Sequence, residues 1–201
     1  MFQIHLWVGA AVAAYLLVMS VSGSLIVFRN ELYRAVSVEW FVDLHENLRV
    51  GPVGRLVNGV GAVCLVMLCV TGAVIWWPGI SHWRRSLTVD WNAHFARINW
   101  DLHSALGFWC FLFVLLWGVS GIYFSFPRLF NVLLVLDPAD RLADQALFRL
   151  AQLHFGRFGR FAEAVWSLVG LAPGVLAFTG VFICCRRVIY KKPSNPKSRV
   201  D

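Results

Sequence analysis

The chain has 201 residues, 59% of them hydrophobic and 14% charged, with a formal net charge of +7. So little polar material excludes a sizeable soluble domain. The positive charge is mostly that of the C-terminal tail. It gives no support to nucleic-acid binding, because anionic lipid headgroups are a sufficient partner.

In chain order, residues 4–28, 56–77, 102–126 and 161–185 read as membrane-spanning helices. Each exceeds the roughly 20 residues needed to cross about 30 Å of hydrocarbon at 1.5 Å rise per residue. The first span is too long, and too poor in preceding basic residues, for a signal peptide, and is read as retained. No Lys or Arg precedes His5, which suggests a natural start a few residues upstream. Residues 31–48 and 140–155, ahead of the second and fourth spans, read as amphipathic interfacial helices. In the first, Leu32, Val36, Trp40, Leu44 and Leu48 recur every fourth residue, with Glu39, Asp43 and Glu46 on the other side.

The expected fold is all-α: an integral membrane four-helix bundle over residues 1–190, followed by a basic cytoplasmic tail, 191–201. The bundle reads as a tandem repeat of a two-helix unit, 1–78 and 99–188. "IHLWVG" aligns with "LHSALG", "VSGSLIVF" with "VSGIYFSF", and "GPVGR" stands opposite "GRFGR". Two helices per copy return the chain to its starting side, so the symmetry axis should lie along the membrane normal. Arg186, Arg187, Lys191, Lys192, Lys197 and Arg199 crowd after the last span, which puts both termini in the cytoplasm.

The repeat carries histidine. His5, His45, His103 and His154 each follow Leu or Ile and lead into an apolar run ending in Ser22-Gly23, Thr71-Gly72, Ser120-Gly121 or Thr179-Gly180. From His to the hydroxyl residue the separations are 17, 26, 17 and 25. The topology puts His5 and His103 near the cytoplasmic face and His45 and His154 near the outer face, where a shallow site would be partly open to water. A pseudo-two-fold axis makes each pair face itself. Opposed imidazoles on facing helices suit bis-His ligation of haem, so two b-type haems are expected. Gly9 and Gly23 share the helix face of His5, as Gly107 and Gly121 share that of His103, and would clear room for the two planes. Close helix packing through small residues explains glycine without a cofactor, though not its register with histidine. Arg55 and Arg160, ending Gly-x-x-Gly-Arg turns at the outer face, could neutralise haem propionates or equally anchor helix ends to lipid phosphate. His82 and His94 lack the register and read as headgroup or solvent residues. Cys64, Cys69, Cys110, Cys184 and Cys185 lie in or at the end of apolar runs without metal spacing and read as free thiols.

"VDLHENLRVGPVGRLVNGVGAVCLVMLCVTGAVIWWPG", "NWDLHSALGFWCFLFVLLWGVSGIYFSFP" and "LHFGRFGRFAEAVWSLVG" resemble the PepSY-associated transmembrane helix family. The resemblance covers nearly the whole chain. It implies a bacterial inner-membrane protein with haem b on intramembrane His, passing electrons to ferric iron or a ferric siderophore in the periplasm. Larger members carry periplasmic PepSY domains, whereas about 27 residues join the first two spans here. The chain therefore resembles a short form whose siderophore-docking surface is missing or supplied by a periplasmic or membrane redox partner. Two other readings stay open: a haem-free membrane protein in assembly, transport or signalling, and a haem-binding sensor without turnover.

Overall fold

The structure is a computed structural model that describes residues 1–32, 38–77, 83–128, 132 and 141–189. His82, part of the first amphipathic stretch (33–37), Asp140 and the basic tail lie outside the described residues, as do the side chains of Arg84 and Arg85. The described helices are α1 (Phe2–Ile26), α2 (Arg29–Leu32), α3 (Val38–Asn47), α4 (Gly51–Trp76), α5 (Trp83–Ser86), α6 (Phe95–Trp109), α7 (Phe111–Ser125), α8 (Arg141–Phe155), α9 (Arg160–Gly170) and α10 (Ala172–Ile189). Phe2–Ile26, Gly51–Trp76 and Arg160–Val188 are each long and apolar enough to cross a membrane; α6 and α7 pass the same test only as a bent pair, which makes three spans, or four if that pair counts as one.

The long helices form a ring. α1 packs along α10 and α4 along α7, while α1 also meets α4 and α6 meets α10. The interior is built from small and hydroxylated residues, including Ser20, Ser22, Ala62, Thr71, Ala105, Ser120, Ala177 and Thr179. Large apolar side chains such as Leu112, Phe161 and Phe178 point outward. Lipid tails are as apolar as Leu, so burying Leu between helices gains little there, whereas small residues let backbones approach and hydroxyls bond across the gap.

Two spans are interrupted, and both depart from a reading as continuous helices. α6 and α7 meet at 65° around Cys110, whose φ of −96° and ψ of 1° leave the helical region. No proline marks the place, and nothing in the local sequence accounts for the bend. Between α9 and α10 the cause is visible. Pro173 lacks an N–H and removes one rung of the ladder. Ser20 of α1 then inserts into the next rung: its hydroxyl donates to Gly170 O at 2.6 Å and accepts from Gly174 N–H at 3.1 Å. A hydroxyl thus bridges a backbone bond that would otherwise be left open in hydrocarbon. Gly174 permits this approach, since a Cβ there would meet Ser20 Oγ at 3.0 Å, while Gly170 makes room for Ser24, whose Oγ would lie 2.6 Å from a Cβ.

Candidate functional site

The four repeated histidines meet the four repeated hydroxyls. His5 Nδ1 lies 2.9 Å from Thr71 Oγ1, His45 Nδ1 3.0 Å from Ser22 Oγ, His103 Nδ1 2.8 Å from Thr179 Oγ1 and His154 Nδ1 2.6 Å from Ser120 Oγ. Each contact stays within one half of the chain. Glycine beside the hydroxyl gives the ring room in three cases. A Cβ at Gly72 would come within 3.2 Å of His5 Cε1, at Gly23 within 2.9 Å of His45 Cε1, and at Gly180 within 3.3 Å of His103 Cε1. Gly121 instead faces the Ala62 methyl at 3.2 Å.

A proton inventory settles the direction of these bonds. Every one of the four hydroxyls lies 2.6–2.8 Å from the carbonyl one turn back: Ser22 from Val18 O, Thr71 from Met67 O, Ser120 from Leu116 O and Thr179 from Val175 O. A carbonyl only accepts, so the single hydroxyl proton points there. The hydroxyl oxygen must then accept from the imidazole, which assigns the proton to Nδ1 in all four rings. With the rings in place Ser22 and Ser120 are 1% and 0% exposed. The hydroxyl thus engages Nδ1 and leaves Nε2 as the other ring nitrogen. A second-shell bond to Nδ1–H is what orients a ligating imidazole and raises its basicity.

The contacts lie in two layers. His5 and Ser22 are 17 residues apart on α1, about 25 Å at helical rise. In one layer His5 and His103 stand with ring centroids 6.3 Å apart and planes at 87°. Two imidazoles sharing one metal at about 2 Å per bond put their centroids roughly 6 Å apart, so this spacing fits a bis-His pair. In the other layer His45 and His154 sit on the short helices α3 and α8, which pack against α1 and α7. Burial pushes the His45 imidazole down to about 4. Burial also takes His154 down to about 3, and the His45 charge further opposes its protonation. Among the described residues no three His, Cys, Asp or Glu side chains cluster as a metal cage. Two imidazoles per layer would be the protein's share of the ligands to a metal that came with others of its own.

The layers have different outer supports. Asn58 donates both amide protons to α3, at 2.7 Å to His45 O and 2.8 Å to Glu46 O. On the other side Trp117 Nε1 donates to His154 O at 3.2 Å and Trp166 Nε1 to Leu153 O at 2.7 Å. The rings of Phe124 and Phe155 flank His154 at 5.1 and 5.2 Å. Near His103, Asn99 donates to Thr179 O at 3.1 Å.

The remaining site candidates are spread out. Gly9 and Gly107 face Leu68 and Leu176 methyls at 3.6 and 3.8 Å, ordinary contact distances. The space at Gly23 holds the edge of His45. Arg55 stands one turn into α4, beside a cleft of about 340 Å³ that Asn47, Ser125 and Phe126 also line. Arg160 opens α9 and is exposed, because its Gly-x-x-Gly stretch forms the turn itself, with Gly156 at φ 66° and Gly159 at 101°. His94 caps α6 without a side-chain bond, and all five cysteines are free. Sequence reasoning missed the hydroxyls as site residues. The signal was there, since Ser22, Thr71, Ser120 and Thr179 mark the ends of the same runs that His begins.

Fold and site together define an all-helical, multi-pass membrane protein with paired histidines inside the bundle. The family model of the PepSY-associated TM region matches residues 34–136, just over half of the chain, and the chain belongs to that family. An uncharacterised protein of Pseudomonas aeruginosa is 31% identical over 88 residues. The match covers 42% of this chain and 21% of that protein, so the chain spans about a fifth of that relative's length. No solved structure matches the chain.

Proposed function

We propose that the chain is a di-haem b-type electron-transfer protein of the bacterial inner membrane, with both termini cytoplasmic. His5 with His103 and His45 with His154 would ligate the two haems, and ferric iron or a ferric siderophore at the periplasmic face would be the acceptor. The observation that carries this reading is the fourfold bond between His Nδ1 and a Ser or Thr hydroxyl, which leaves Nε2 as the ring nitrogen a metal would take. A haem, when bound, supplies one-electron chemistry at its iron.

The chain's residues do the rest. The four hydroxyls fix one tautomer and hold each ring against rotation. Asn58, Trp117 and Trp166 anchor the short helices that carry His45 and His154. Arg55, beside its cleft at the His45 end, offers positive charge to a propionate or an anionic chelate. Basic residues at the end of α10 favour a cytoplasmic position for the His5–His103 layer, so electrons would pass from it towards His45 and His154.

The test is a reduced-minus-oxidised visible spectrum of detergent-purified protein with pyridine haemochrome quantitation. Two low-spin b-type haems per chain, followed by oxidation of the reduced protein by a ferric chelate, are the expected results. No haem from haem-replete cells would overturn the reading in favour of a haem-free role in assembly, transport or signalling. One observation favours that second reading: the His–hydroxyl bonds are already complete as interhelical contacts. Haem without oxidation by a ferric chelate would indicate a sensor.

A further inference from the structure

A groove of about 770 Å³ opens where the start of α1, the first turns of α6 and the last turns of α10 come together. Its volume falls in the roughly 300–1,000 Å³ range of small-ligand sites. Trp7, Trp100 and Phe182 give it aromatic walls, and Gln3, Arg186 and Arg187 line its polar part. Both arginines are exposed, as are Trp7 and Trp100. Arg187 holds its guanidinium 4.0 Å from the Phe2 ring centroid, which ties the start of α1 to the end of α10.

The charge there is one-sided. Among the described residues no carboxylate lines the groove and neither arginine has an acidic partner. The buried Asp101 of α6 is occupied by Arg97 at 2.9 Å. Two adjacent guanidinium groups over an apolar aromatic cleft, on a bundle that crosses a membrane, match an amphiphile with a negative head and hydrocarbon tails. Free phosphate would leave the aromatic walls uncovered. A neutral hydroquinone would find no carboxylate to take its protons.

We propose that this groove is a binding site for one anionic phospholipid, its phosphate on Arg186 and Arg187 and an acyl chain against Trp7, Trp100 and Phe182. The lipid clamps α1, α6 and α10, the helices that carry His5, His103 and Thr179, and the site does not depend on whether the histidines hold a haem.

The test is native mass spectrometry and thermal unfolding of the full chain in neutral detergent, with phosphatidylglycerol, phosphatidylcholine, inorganic phosphate or a ubiquinone analogue added. Phosphatidylglycerol alone should remain bound at one per chain and raise the melting temperature. Arg186→Gln with Arg187→Gln should weaken it on the order of thirtyfold, since a basic residue near a membrane surface contributes roughly fivefold. Ala96→Trp, which fills the groove while keeping both cations, should also displace it. Equal retention of phosphatidylcholine, protection by phosphate, displacement by the quinone, or undiminished binding to the Ala96→Trp chain would each overturn the proposal. Should the variants not fold, photoactivatable phosphatidylglycerol on the unaltered chain decides: labelling confined to the start of α1, residues 96–100 and residues 182–188 supports the site, and labelling spread over the lipid-facing helices sinks it.

Discussion

The two histidine layers share an inner contact and differ in everything that supports it. His5 and His103 are part of the spanning helices, so the backbone that crosses the membrane also sets their height and spacing. His45 and His154 ride on α3 and α8, which are carried to the bundle by turns and fastened by side chains: Asn58 to the carbonyls of His45 and Glu46, Trp117 to that of His154. The same Nδ1–H bond is therefore obtained once by covalent continuity and once by docking. A docked layer is easier to disturb with one substitution, and easier to tune.

The largest effects should come from the histidines. His45→Ala or His154→Ala should remove one haem and spare the other, and His5→Ala or His103→Ala should do the reverse, as read by haem quantitation. Retention of both haems in the His103→Ala protein would break the layer pairing. Next, Gly23→Ala should empty the docked layer, because the new methyl meets His45 Cε1 at 2.9 Å, whereas Gly121→Ala meets only the Ala62 methyl and should leave both layers filled. Equal haem content in the two variants would mean that His45 can swing aside.

Removing a hydroxyl takes the side-chain acceptor away from Nδ1–H. Ser22→Ala, Thr71→Ala, Ser120→Ala and Thr179→Ala should each destabilise the chain by about 1–3 kcal/mol, with Thr71→Ser restoring most of it. Chemical-denaturation midpoints in detergent measure this, and a shifted haem potential would separate ligand tuning from packing.

Acid should act on the docked layer of the haem-free chain. His45 and His154 have depressed values, so below an ordinary pKa of about 6.5 the unfolded chain takes up protons that the folded chain refuses. Stability should be full above that pH and fall towards pH 4, approaching about 1.4 kcal/mol per pH unit for each imidazole. His45→Gln with His154→Gln should flatten that slope; an unchanged slope would place the acid sensitivity elsewhere. The smallest effect is expected from Trp117→Phe, which removes one bond to His154 O and should lower stability by about 1 kcal/mol, leaving the His5–His103 layer untouched.

Much of this was legible before any coordinates. The spans near residues 4–28 and 56–77 correspond to α1 and α4 because a long apolar run has one good solution in a membrane. The histidines and the Ser/Thr-Gly pairs were visible as a register, yet the hydroxyls read as helix markers. Their role emerged only once the inventory of protons showed that each must accept from a ring. The Gly-x-x-Gly-Arg likeness misled in part: Gly54 and Arg55 lie inside α4, whereas Gly159 and Arg160 bracket the start of α9.

By itself the sequence determined what is local or periodic: an all-helical membrane chain, its spans, and four histidines in step with four hydroxyls. Residue type and spacing along one helix suffice for that. Tertiary structure alone decided which ring meets which hydroxyl, that His5 and His103 stand 6.3 Å apart, that α6 and α7 bend by 65°, and that Ser20 opens the ladder between α9 and α10. Those are relations between helices. They depend on how closely small residues let two backbones approach, and no period along a single strand of sequence encodes that distance.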